Sequence, residues 1–561
     1  MERRLLLAIL LMVVVAVVPS LFMKPALRRP APGAPGAPGV ETPSAAPRQD
    51  AALSPAPGVP AAPAAVDRST AQAAALVIDT ASLASARSVY RVTSLGGSID
   101  RAEFPGYRSC RGGRRGEVVN LVRPADRVLL HRLVVGSDTV RMDSAMFALT
   151  KAGDRLSLAG SAGPLTMALE YGRTPGRDYL LTVTGEVGGL EGRGAVLLIG
   201  LGAGFPNVEG DSVDNYRHYG VAVRRTSVEN RPFTKLKPDT TTVVDGPFDW
   251  VAVKSKYFMG ALLSRDSTHP AFGGALLTGG PRVGKFSTTA HTWVTMPVGP
   301  DGRFRYDAYL GPQEYRELHP LGRSLDRASP YGWIFSPIVM PVATWITRLF
   351  IWMHENLKLG YGLVLVLFGI MVRLALWPLN QKAMKSQVAM QAVQPLLKDI
   401  QTRHKDDPAK LQSEMMKLYK EHKVNPVGGC LPMLLPLPIL LALFFVFNST
   451  IELRGVAFLW LPDLSQRDPL FIIPVVMGGS MWALSKLGTM GMPPNPQAKM
   501  ITIVMPIMMT VLFLNFASGL NLYYAVSNLV SLPQQFLINK SREAEMARRQ
   551  RHALREFVVG L

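Results

Sequence analysis

The stretch LGYGLVLVLFGIMVRLALWPLN, Leu359 to Asn380, decides the reading of this chain. It is uncharged and mostly apolar from Leu359 to Val372, meets Arg373, and resumes an apolar run through Leu379. About 20 such residues cross a bilayer core as a helix. A guanidinium in that setting costs from ~2.5 to ~17 kcal/mol, depending on the reference state. Water, a partner anion or escape to the interface must offset the cost. Arg373 lies ~9 Å from the end of the apolar run at Leu379, so its side chain could snorkel much of the way out. The other reading is a cation in a wet pocket that waits for an anionic guest.

Working outward toward the carboxy terminus, Gln381 to Lys423 is polar, with Asp406-Asp407-Pro408 breaking it in the middle. Val388, Ala392, Pro395/Leu396 and Ile400 are placed to face Leu411, Met415/Met416 and Tyr419, which predicts a helical hairpin. Its excess of Lys and Arg assigns it to the cytoplasm. Val424 to Ile451 carries no charge and holds Pro426, Pro432, Pro436 and Pro438, so it reads as one bent crossing. Glu452 to Asp468 is an outer loop, and Pro469 to Ser485 crosses back. Met500 to Asn539 has no Asp, Glu, Lys, Arg or His and makes two crossings, broken at Asn515 to Asn521. The basic tail from Lys540 belongs inside.

On the other side, Trp333 to His354 is apolar with Trp333, Trp345 and Trp352, and is read as an amphipathic helix lying on the outer surface; a further crossing is the alternative. Residues 67–330 alternate apolar and polar in short runs between Gly and Pro. In RFRYDAYLG, Phe304, Tyr306 and Ala308 point one way and Arg303, Arg305 and Asp307 the other. That predicts an all-β sandwich. Residues 24–66 are rich in Pro, Ala and Gly and form a tether. Leu5 to Met23 is uncharged after a basic start, which reads as an uncleaved anchor with a cleaved signal as the alternative.

The expected fold is therefore a membrane protein of six transmembrane helices. An amino-terminal anchor (1–23) and linker (24–66) lead to a large periplasmic all-β sandwich (67–330). An interfacial amphipathic helix (331–356) leads to a five-helix core (357–540) with a cytoplasmic helical hairpin (381–423), and a basic tail (541–561) ends the chain. An inside start plus six spans gives an inside end, with the basic segments on one side. The net charge of +20 over 561 residues fits basic cytoplasmic parts, and also a ribosome or other nucleic-acid contact without sequence specificity.

The two cysteines give no disulfide framework or metal site. His218, His269 and His291 are scattered, and no nucleotide, metal or nucleophile motif stands out. Neither a cofactor nor an enzymatic reaction is expected. The spans between Leu359 and Asn539 contain no Asp or Glu, which argues against proton-coupled transport. Of 25 Met, 17 lie from Trp333 onward. They suit ordinary packing or a pliable surface for many apolar guests.

NPVGGCLPMLLPLPILLALFFVF (Asn425–Phe447), FLWLPDLSQRDP (Phe458–Pro469) and FASGLNLYYAVSNLVSLPQQFLI (Phe516–Ile538) resemble the YidC membrane-protein insertases, as does Val372-Arg373 followed by Pro378-Leu379. The resemblance implies a bacterial inner-membrane protein that inserts nascent membrane segments, alone or beside the Sec translocon. It implies a hydrophilic groove open to cytoplasm and lipid, with Arg373 inside it and Tyr524 facing the guest. The guest would slide past Cys430, Met433, Leu437, Pro438 and Leu512. Gly369, Leu376, Met505, Asn521 and Asn528 complete the expected groove. Gly369 stands where many members carry a small hydroxyl residue, and Pro436 where the third span often has Gln. A lipid or polymer transporter that uses the same Arg, and a tethered sugar-binding protein, are the competing classes.

Overall fold

A computed structural model describes residues 78–265, 271–284, 286–329, 336–405, 407–422, 437–490 and 500–559. The expected anchor and tether, His269, Trp333, Cys430 and Met433 lie outside the described residues.

Antiparallel strands fill the chain from Thr80 to Pro312. The largest sheet has nine strands, with Arg303–Pro312 at its centre between Phe258–Leu263 and Leu180–Gly188. A six-stranded sheet contains Leu130–Val135 and Ala290–Pro297. Side chains from the two sheets meet in a shared core: His131 Nε2 lies 2.8 Å from the Tyr306 hydroxyl, and its ring lies 6.3 Å from that of Phe304. Burial holds this imidazole neutral, its pKa pushed down to about 4. The domain is thus the expected β-sandwich. Phe304, Tyr306 and Ala308 are buried while Arg303 and Arg305 are exposed, as their alternation requires. Beyond Ala308 the alternation stops. Tyr309 and Leu310 are both buried, because Tyr179 packs on Tyr309 and the strand is covered on both faces.

The helices, in chain order, are α1 (Ser212–His218), α2 (Tyr315–Leu318), α3 (Ser336–Asn356), α4 (Tyr361–Ala392), α5 (Gln394–Arg403), α6 (Pro408–Glu421), α7 (Leu437–Ser449), α8 (Ile472–Thr489), α9 (Met505–Phe513) and α10 (Ser518–Val559). In α3, Val339, Ala343, Ile346, Phe350 and Met353 are buried at alternating steps of four and three, while Trp345 and Trp352 are exposed. Within α4, Tyr361–Gln381 is long and apolar enough to cross a membrane by length and composition. Leu363, Leu367, Met371 and Leu374 form its exposed stripe.

The hairpin keeps Ile400 and Tyr419 of its expected facing residues and departs at Leu396 and Met416. Val393 and Leu418 are its buried pair, backed by Leu397, Ile400 and Tyr419, whereas Leu396 and Met416 are exposed. The helix breaks at Val393, between α4 and α5, and that break resets the phase of the apolar face. Asp407 caps α6 by accepting from Lys410 N at 3.0 Å, with Pro408 in the first turn.

The loop between α7 and α8 fastens the helices to the sandwich. Ile451 belongs to the sandwich core. Arg454 Nε donates to both carboxylate oxygens of Glu209 at 2.9 Å, with both side chains buried, and its guanidinium lies 5.5 Å over the Phe258 ring. Ser518 N donates to Gln466 O at 2.6 Å, which ties the start of α10 to the same loop. Asp468 accepts from Ile473 N at 2.8 Å and from Leu470 N at 3.0 Å, satisfying amides at the start of α8.

Candidate functional site

Arg373 is positioned by the packing of α4 against α10. At Gly369 an added Cβ would lie 3.3 Å from Val526 and 3.6 Å from Tyr523. The missing side chain lets the two backbones approach, as small residues do between membrane helices. Further along, the Arg373 Nε donates to the Ser531 hydroxyl, and Gln534 Nε2 donates to the Trp377 carbonyl at 3.3 Å. These contacts advance together along both helices, so α4 and α10 run parallel. The α10 face that meets α4 carries Tyr523, Ser527, Ser531 and Gln534, all buried and spaced by four, four and three residues. It is a polar ladder inside an apolar helix pair. Pro378 lacks an N–H, so α4 has a free carbonyl one turn earlier, near Arg373.

Arg373 is half-buried, and Tyr523 stands about two turns before its Ser531 partner on the same face of α10. Among the described residues no Asp or Glu pairs with it, and the undescribed stretch 423–436 contains neither residue type. The guanidinium is held by a hydroxyl and keeps most of its five donors for something else.

The other expected residues divide into three groups. Gly369, Leu376 and Arg373 share α4. Met505 and Leu512 are half-buried on α9, while Leu437 and Pro438 open α7. Asn528 faces α8, donating to Ser480 Oγ at 3.3 Å. Two placements differ from expectation. Asn521 is fully buried, and its Nδ2 donates at 3.0 Å to Phe513 O, which also accepts from Phe516 N at 3.1 Å, so this amide nitrogen is turned to the end of α9 instead of to a groove. Tyr524 packs on Phe513 with ring centroids 5.5 Å apart; its neighbour Tyr523 is the tyrosine beside Arg373. Sequence reasoning missed Tyr523, Ser531 and Gln534. The signal was their shared helical face with Ser527.

Two family profiles match consecutive parts of the chain: one described as the YidC periplasmic domain, over residues 86–353, and one described as 60Kd inner membrane protein, over residues 352–545. The chain belongs to the YidC family. Its similar relatives include the YidC membrane protein insertase of Chlorobium phaeovibrioides, 37% identical over 320 residues, which are 54% of this chain and 54% of that one. That of Syntrophus aciditrophicus is 34% identical over 329 residues, 58% of each chain. The chain thus spans about half the length of the curated YidC relatives it matches. A crystal structure of an active YidC insertase with its first transmembrane domain resolved is 18% identical, covering 82% of this chain and 92% of that one at a TM-score of 0.34.

Proposed function

We propose that this protein inserts nascent membrane segments from the cytoplasm into the bacterial inner membrane, with Arg373 as the transient partner of acidic residues on the guest. The observation that carries this reading is the half-buried guanidinium on a membrane-length helix with a serine and no carboxylate beside it. Such a cation favours a passing anion. At an effective dielectric near 20, a charge pair at ~4 Å is worth ~4 kcal/mol before desolvation. That lowers the barrier for an acidic tail without trapping it. The apolar part of the guest then leaves into lipid, favoured by ~0.8 kcal/mol per buried CH₂. No nucleotide enters the scheme.

The reading takes α4, α7, α8, α9 and α10 as five crossings and adds the segment 1–23 as a sixth. Helix directions support it. Gly478 abuts Thr510 while Thr489 meets Thr502, so α8 and α9 are antiparallel. Ser480 with Asn528 and Leu487 with Asn539 make α8 and α10 parallel. In this topology the sandwich is periplasmic, α3 lies on the outer surface, and both termini are cytoplasmic. The basic hairpin and tail would give a ribosome its contact. Work beside the Sec translocon follows from the family likeness.

Photocrosslinkers at Leu376 and Leu512 test the route. Ribosome-bound membrane segments should crosslink from both positions, and soluble nascent chains from neither. Labelling from neither position by any membrane segment would sink the proposal.

A further inference from the structure

A cleft between helices lies where α8 meets α10, apart from the Arg373 contacts. Ser531 turns toward α4, but Leu532 is ~100° further around the helix and lines a cleft with Trp482, Ala483, Leu487 and Phe536. Its volume is about 530 Å³, within the range of ~300–1,000 Å³ common for small-molecule sites. Pro533 lies in its wall, and Phe536 is exposed at its rim. The cleft is preformed, because both helices are pinned at this end: Asn539 Nδ2 donates to the Leu487 carbonyl, and Gln535 Nε2 donates to Asn539 Oδ1 at 3.3 Å.

One charge stands at this apolar cleft. Lys486 lines it, its ammonium held 4.9 Å over the Trp482 ring. No Asp or Glu occurs in 472–490 or 518–540, so neither helix offers this ammonium a carboxylate along the cleft. Lys540 follows Asn539 and adds a second positive charge to the same end of α10.

We infer that this cleft binds an anionic glycerophospholipid, with an acyl chain against Leu532 and Phe536 and the headgroup phosphate at Lys486. Three features select that occupant. The cleft is apolar along its length, its charged end is cationic, and among the described residues the cation has the Trp482 ring but no carboxylate on either helix. Basic pockets between membrane helices on the cytoplasmic side take anionic headgroups for the same reason. The inference requires α8 and α10 to lie in a bilayer, and does not require Arg373 to meet any guest.

The test uses the full chain in nanodiscs that contain a trace of photoactivatable phosphatidylglycerol or phosphatidylcholine, with labelled peptides mapped by mass spectrometry. Peptides spanning 482–490 and 532–540 should carry the anionic probe roughly five-fold over the zwitterionic one. Lys486→Ala should bring that ratio to the value seen elsewhere on the spans, while Lys486→Arg keeps it. Ala483→Trp should lower labelling by both probes by filling the cleft. Should Lys486→Ala misfold, Lys486→Gln takes its place. Equal labelling by the two probes in the unmodified chain, or an unchanged ratio in the charge-neutral variant, overturns the inference. Insertion of acidic-tailed guests is scored separately, so loss of the lipid site and loss of the Arg373 role are distinguishable.

Discussion

Arg454 and Arg373 are both withdrawn from solvent, one at the junction with the sandwich and one between α4 and α10. Their surroundings differ. Arg454 is closed by Glu209 at 2.9 Å, by the Val208 carbonyl at 3.4 Å and by the Phe258 ring. Among the described residues Arg373 has the Ser531 hydroxyl and no counter-ion. A buried charge whose counter-ion is built in holds two parts together and has little left to offer a guest. A buried charge resting on a serine remains available. The same residue type is a rivet in one place and, in the function we propose, a receptor in the other.

The largest effect should come from unmaking the rivet. Glu209→Ala leaves a buried guanidinium without its anion, at a cost of ~3–5 kcal/mol. The measurement is thermal unfolding of the full chain in detergent, together with protease sensitivity of the segment joining the sandwich to α3. An unchanged melting temperature would mean that the pair fastens nothing.

Crowding the α4–α10 contact comes next. Gly369→Leu should cost ~1–3 kcal/mol by overpacking against Val526 and Tyr523, and Gly369→Ser much less. Equal stability of the two variants would show that the helices do not approach there.

The third test concerns Glu452, which accepts from Tyr315 N at 3.3 Å in the seam among sandwich, α3 and the α7–α8 loop. Burial, with Glu314 adding to it, pushes its pKa from 4.5 up to about 7. The folded protein therefore keeps a proton that the unfolded chain releases between these two values, and stability falls as pH rises through that window. The fall should be ~1–3 kcal/mol between pH 5 and pH 8, read as melting temperature, and Glu452→Gln should flatten it. A profile that rises with pH and is unaltered by the substitution would contradict this assignment.

Much of the sandwich was legible, since a period of two in Arg303–Ala308 has one physical meaning when one face is buried. Its limit was equally physical: at Tyr309 and Leu310 both faces are covered, and alternation carries no further information. Arg373 announced itself by the cost of a charge in an apolar run. Its partners did not. Ser531 is 158 positions away, and Glu209 is 245 from Arg454; pairings at that range follow from tertiary packing, which a single sequence does not display. Tyr523 and Tyr524 are adjacent and alike in composition, and only the rotation of α10 assigns one to the arginine and the other to Phe513. Asn521 looked like a groove amide because it is polar in an apolar run, but its amide nitrogen turns to the Phe513 carbonyl at the helix break beside it.

The smallest expected effect in free energy bears most directly on the availability of Arg373. Insertion rates into reconstituted vesicles are measured for guests that differ only in the number of acidic residues in the leading tail, with the unmodified chain and with Arg373→Ala. Loss of the guanidinium should slow acidic-tailed guests roughly ten-fold and neutral-tailed guests little, with Arg373→Lys in between. Equal slowing of both guests, or of neither, would contradict the pairing of this arginine with the guest.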